Sequence, residues 1–145
     1  MDIEKMRVEK DVEGLIDVLK ERNFDIRFEA VKILGEIGDS KAVELLTQVL
    51  KDEDPDIRFK AAESLGNIGD ARAVEPLIET LKDEDSYTRR AVVTALGKIG
   101  DTTVVQHLTR ALKDKDAEVR LEAVRASRKY RGCYSGRSPR PDNSR

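Results

Sequence analysis

The chain is poor in the side chains on which most chemistry depends. Its 145 residues include no tryptophan, three phenylalanines, three tyrosines, one histidine and one cysteine. A single thiol, Cys133, excludes an internal disulfide and fits a reducing compartment. One histidine and one cysteine fall short of the usual zinc-ligand set. A Ser-His-Asp or Cys-His arrangement would have to be built on His107, and no local motif surrounds it. Charge of one sign is missing too: 27 Lys and Arg stand against 29 Asp and Glu, which gives no general pull towards nucleic acid or an anionic membrane. No apolar run approaches the roughly 20 residues of a membrane helix. Met1-Asp2-Ile3-Glu4-Lys5 is too charged to open a signal peptide. The expectation is a soluble, cytoplasmic protein without catalytic residues, metal or cofactor.

What the chain has in abundance is repetition. Sliding it by 31 positions matches residues 26–56 to 57–87 at 18 of 31 positions. The same step carries Gly38 to Gly69 and Gly100, and Asp39 to Asp70 and Asp101. It also links Arg27, Arg58, Arg89 and Arg120, and Leu34, Leu65 and Leu96. A period of this length is the mark of a repeat array in which single units cannot bury their apolar faces alone.

Each unit predicts two helices. In the first, Val74, Leu77 and Leu81 follow i, i+3, i+7 spacing. In the second, Ile57, Ala61, Leu65 and Ile68 form the buried stripe. Gly69 follows the second helix, where a left-handed residue ends a helix at little cost, and Asp70 can cap the next. First helices are expected to begin near residues 8, 40, 71 and 102, and second helices near 25, 56, 87 and 118. The solenoid then spans residues 1–131, in units of about 8–38, 39–69, 70–100 and 101–131. Gly35, Gly66 and Gly97 lie inside second helices, where glycine costs about 1 kcal/mol against alanine; a close approach of neighbouring backbones explains their recurrence.

The pattern Ile57-Arg58-x-x-Ala61-Ala62-x-x-Leu65-Gly66-x-Ile68-Gly69-Asp70-x-x-Ala73-Val74-x-Pro76-Leu77 resembles the short HEAT-like repeat first associated with phycobilin lyases. The resemblance covers about 125 residues and implies an all-α, right-handed solenoid of about four helix pairs, with the second helices lining a concave face. It implies a non-catalytic module that holds a protein partner, small molecules being poor candidates. The alternative it carries is an accessory subunit of a phycobilin lyase-like or other enzyme system. HEAT-like deoxyhypusine hydroxylases hold two irons with repeated His-Glu pairs, and this chain contains no such pair.

Two sets of candidate residues follow. Arg58, Arg89 and Arg120 each lie six residues after an aspartate, Asp52, Asp83 and Asp114, and Glu21 precedes Arg27 likewise. The resemblance implies that such Asp and Arg residues tie repeats together; a row of arginines could otherwise bind phosphate. Outward positions of the second helices supply the other set. Phe28, Phe59, Arg90 and Leu121 occupy one equivalent position and should form a column, with Phe24 and Tyr87 beside it. Lys32, Glu63, Thr94 and Arg125 complete the candidate partner-binding surface. An exposed apolar column usually marks an interaction site, although Phe28 and Phe59 could instead extend the core.

The C-terminus departs from the pattern. Ser127, Arg128 and Tyr130 replace the repeat's leucine, glycine and isoleucine, which reads as a polar cap or as an array that ends mid-pattern. Residues 132–145 are basic and rich in Gly, Ser and Pro, and a disordered tail is expected there. Weak nucleic-acid binding through this basic end is a third functional reading, with only Tyr130 and Tyr134 for stacking. The acidic loops, such as Asp52-Glu53-Asp54-Pro55-Asp56, lack calcium-loop spacing.

Overall fold

The computed structural model describes residues 2–130, and every regular element among them is helical. The tail expected over 132–145 lies outside the described residues. The helices are α1 (Ile3–Glu9), α2 (Val12–Val18), α3 (Phe24–Ile37), α4 (Val43–Val49), α5 (Pro55–Ile68), α6 (Val74–Thr80), α7 (Ser86–Ile99), α8 (Val105–Ala111) and α9 (Ala117–Ser127). Helices α2, α4, α6 and α8 are the first members of successive units; α3, α5, α7 and α9 are the second. The array is an all-α solenoid.

Between units the chain turns the same way three times. Gly38, Gly69 and Gly100 each adopt φ near +75°, a left-handed conformation that costs glycine little. The next residue, Asp39, Asp70 or Asp101, accepts a hydrogen bond at 2.8 Å from the backbone N–H two residues on. Its carbonyl takes the N–H three residues on, as Ala42 N–H does to Asp39 at 3.1 Å. That i→i+3 bond makes a 3₁₀ turn of residues 40–42, 71–73 and 102–104. The α-helices therefore start three residues later than the apolar spacing suggests.

The first unit differs. A first helix was expected from about residue 8, but α1 runs to Glu9 and the chain then breaks. Lys10 takes φ 54°, the one positive φ at a non-glycine residue among those described, and Asp11 caps α2 through Gly14 N–H at 2.9 Å. One period before Leu34 and Ile37 stand Ile3 and Met6, and both pack against the core. Helix α1 thus replaces the last turn of a preceding second helix and covers the N-terminal end of the array.

The core follows the stripes. Leu15, Leu34, Leu46, Leu65, Leu77, Leu96 and Leu108 are fully or almost fully buried. Each stabilises the fold by about 1.5–3 kcal/mol relative to exposure. The second helices pack on one another in sequence, α3 on α5, α5 on α7 and α7 on α9, far more extensively than the first helices do. Their glycines explain this. A Cβ on Gly66 would stand 2.8 Å from the Ala95 Cα, and one on Gly35 would meet the Ser64 Cα at 2.7 Å. Ser64, buried at this crossing, donates its hydroxyl to the Val31 carbonyl at 2.7 Å. First helices instead touch the neighbouring unit through the 3₁₀ turns. An open groove of about 890 Å³ lies between α4 and α6.

Candidate functional site

The arginines of the second helices reach across unit boundaries. Arg27 Nη2 lies 2.7 Å from Asp52 Oδ2, and Arg58 Nε lies 2.8 Å from Asp83 Oδ2. Arg89 binds Asp114 with both prongs, Nε to Oδ2 at 2.9 Å and Nη2 to Oδ1 at 3.0 Å. Spacing had paired each arginine with the acidic residue six positions before it, and here the structure differs. Arg58 and Arg89 reach that aspartate by its backbone carbonyl, Asp52 at 2.9 Å and Asp83 at 2.8 Å. The carboxylate comes from the aspartate 25 positions later. Likewise Arg27 donates to the Arg22 carbonyl at 3.5 Å and not to the Glu21 carboxylate. The reason is the planar guanidinium, whose five donors can fill the loop carbonyls of one unit and the carboxylate of the next together.

Each rung is also braced at its acidic end. Asp52, Asp83 and Asp114 each accept the backbone N–H two residues on at 2.8 Å. For Asp114, burial is the largest single influence and works to raise the carboxyl pKa, but the Arg89 hydrogen bonds, the Asp116 N–H and the charges of Arg89 and Lys115 together outweigh it and hold the group below its ordinary value. Its partner Arg89 is raised, chiefly by the same hydrogen bond. Arg120 ends the series: it reaches the Asp114 carbonyl at 2.6 Å, and no carboxylate faces it among the described residues. Three of the four arginines are therefore consumed by the repeat interfaces and are poorly placed to hold a phosphate.

The aromatic column is uneven. Phe24 and Phe28 stack, with ring centroids 5.8 Å apart, and Lys60 Nζ of the next unit sits 5.3 Å from the Phe28 ring. The same ammonium lies 5.9 Å from the Phe59 ring, within cation–π range of both phenylalanines. It also bonds Glu63 at 2.6 Å. Phe28 is half-buried, and Phe59 packs against the hydrophobic core. Exposure sits elsewhere in the set: Phe24 at 37%, Leu121 at 43% and Tyr87 at 65%. Arg90 lies 3.7 Å from Glu118, Lys32 3.8 Å from Glu29 and Arg125 3.4 Å from Glu122. Thr94 bonds its own helix at the Arg90 carbonyl, 3.1 Å away. The surface is thus a set of apolar contacts among ion pairs that cost little to rearrange.

Lys60 is the residue that pattern reading undervalued. It stands where Glu29 does in the preceding unit, so a change of charge at that position was the available signal. His107 is half-buried on α8. No group of three or more His, Cys, Asp or Glu among the described residues is placed to hold a metal ion. Nor is any of their helices long and apolar enough to cross a membrane.

Units of two helices, stacked through glycine crossings and bound by Arg–Asp rungs, define a helical-repeat module. A family model for HEAT repeats matches residues 12–86 and 68–128, and the chain belongs to the HEAT-repeat family. No curated protein sequence matches it. Among solved structures it is similar to phycocyanin lyase from Nostoc sp. PCC7120, a complex of CpcE and CpcF. Identity there is 28%, the TM-score 0.75, and coverage 88% of this chain and 56% of that one. It is also similar to human deoxyhypusine hydroxylase in complex with glycerol, at 26% identity and a TM-score of 0.75, covering 96% of this chain and 50% of the hydroxylase. An engineered protein matches at 26% identity and a TM-score of 0.69, over 88% of this chain and 65% of its own. The chain spans about half the length of the two natural proteins.

Proposed function

We propose that the module binds a protein partner, without catalysis of its own, on the face formed by the second helices. The observation that carries this reading is a set of exposed apolar side chains, Phe24, Tyr87 and Leu121, in the N-terminal halves of three second helices. Packing supports it. Second helices approach at backbone distance while first helices stand apart, as expected for an array that curves with its second helices on the inner face. A concave face presents its apolar groups to one ligand together, and burying each is worth roughly 1.5–3 kcal/mol before the costs of association.

The triple variant Phe24→Ser, Tyr87→Ser, Leu121→Ser tests the reading without touching the core. Phe59 is left alone, because its packing on the core would confuse loss of binding with loss of fold. Affinity capture from a lysate of the source organism, with mass spectrometry, should recover a partner with the wild type and lose it with the variant. Equal capture by two proteins of equal melting temperature would rule out this face.

A second reading, an accessory role in a phycobilin lyase-like or other enzyme system, is favoured by the likeness to the phycocyanin lyase complex. It predicts a spectral change when the chain is mixed with a bilin, an apo-phycobiliprotein and a partner subunit. An unchanged bilin spectrum would remove it.

A further inference from the structure

The two ends of the array are not alike. At the N-terminal end α1 stands in for a preceding second helix, and Arg7 on it lies 3.4 Å from Glu36 and 3.8 Å from Glu29 of α3. At the other end, apolar positions are more open than their interior equivalents. Val124 is 43% exposed, whereas its equivalents Val31, Ala62 and Val93 are fully buried. Leu112 is 37% exposed; of its equivalents, Leu50 is 3% exposed and Leu19 and Leu81 are partly buried. With Val105, Leu108, Ser127 and Tyr130 they line a groove of about 370 Å³ between α8 and α9. The polar replacements Ser127 and Arg128 line this groove and do not fill it. Helix α9 is 11 residues long where α3, α5 and α7 have 14.

Arg120, one helical turn before Val124 on α9, has its carbonyl contact made, and no carboxylate faces it among the described residues. In the three interior rungs that carboxylate lies at 2.7–3.1 Å and comes from the unit stacked against the same face. The surroundings are basic: Arg110, Lys113 and Arg128 are exposed, while Glu118, Glu122 and Asp114 already face arginines. We propose that this C-terminal face docks an acidic amphipathic helix of another protein, its apolar stripe filling the groove and one carboxylate completing the ladder at Arg120. The site is separate from the concave surface and stands whether or not that surface binds a partner.

Two other occupants fit less well. Residues 131–145 hold four arginines and one aspartate, and Cys133 and Tyr134 are their only hydrophobic residues, so they match the face in charge where they should oppose it. A second copy would present either its N-terminal end, where α1 packs on α3, or the same basic face, like charge against like.

The test uses the full chain and four fluorescent, hydrocarbon-stapled helical peptides with one Leu/Val stripe. A single aspartate moves through one turn across the set, and each has an Asn control. At least one aspartate peptide should bind at micromolar concentration, and its Asn control about tenfold more weakly, as expected for loss of a partly desolvated charged hydrogen bond. Arg120→Glu should weaken the aspartate peptide at least tenfold, and Val124→Asp should abolish binding, with both variants melting as the wild type does. Amide shift changes should map to α8 and α9. The proposal is overturned if no peptide saturates below millimolar, if Asp and Asn peptides bind alike, or if the shifts map elsewhere. Self-association in sedimentation equilibrium that Val124→Asp removes would assign the face to a second copy. Binding only after removal of residues 131–145 would assign it to the chain's own terminus. Either result overturns the proposal as well.

Discussion

The second-helix layer and the first-helix layer share one repeat but are held by different forces. In the second-helix layer, α3, α5, α7 and α9 meet through glycine, serine and alanine, so that backbone faces backbone with nothing between them to yield. In the first-helix layer, α4 and α6 flank an open groove lined by Thr47, Gln48, Glu75, Pro76, Glu79 and Thr80. One layer sets the geometry of the array, and the other follows it. Arg–Asp rungs stitch the loops that join the two, and stability is shared between neighbouring units.

The sharpest way to break this contrast is to enlarge one residue in each layer. Gly66→Leu must force α5 and α7 apart at the Ala95 backbone, and should cost about 3 kcal/mol or more in urea denaturation. Pro76→Leu, which installs the residue found at the equivalent Leu45, should stay within about 0.5 kcal/mol because α6 faces open space there. Similar losses for both would mean that the layers are equally tight.

The ladder offers a smaller effect with its own internal control. Arg89, 4% exposed, should lose about 2 kcal/mol on replacement by methionine, since Asp114 is left without its bidentate partner. Arg120→Met should change stability by less than about 0.5 kcal/mol, because the terminal rung has no carboxylate to strand. Equal costs at the two positions would show that the carbonyl contacts, common to both, hold the loops.

Gly69→Ala probes a different requirement of the same chain reversal. A Cβ there meets open space, but φ of +75° is strained for alanine, so about 1 kcal/mol should be lost by backbone strain alone. The smallest effect expected is on pH dependence. Against the opposing effect of burial, the Arg89 and Asp116 hydrogen bonds and the neighbouring positive charges depress the Asp114 carboxyl, so the stability it contributes is full above its unfolded pKa of about 3.9 and is lost as pH falls through the lower folded value. Asp114→Asn should flatten the stability curve in that acid range and leave its shape near neutrality unchanged.

Much of this was legible from repetition alone. The 31-residue step exposed the helix pairs, the left-handed glycines, and the close approach at Gly35, Gly66 and Gly97, because each recurs where a neighbour demands it. The ladder was half legible. Spacing along one unit favours the aspartate six residues before each arginine, but the charge that answers it stands on the next unit, and sequence distance does not reveal which loop stacks on which. The 3₁₀ turns were missed because three residues of 3₁₀ and of α-helix place apolar side chains alike. Helix α1 was hidden by the loss of the Gly-Asp junction, with Lys10 taking the left-handed role of glycine. Of the aromatic column, the positions were legible and the exposures were not: Lys60 and the core cover Phe28 and Phe59, while Phe24 and Tyr87 remain open.

The claim that the second helices form the binding face is tested most directly by hydrogen–deuterium exchange on the intact chain, with and without its captured partner. Protection should appear in the N-terminal halves of α3, α7 and α9, around Phe24, Tyr87 and Leu121, and leave α4, α6 and α8 unchanged. Protection confined to α4, α6 and the groove between them would contradict the account and place the partner on the first-helix face.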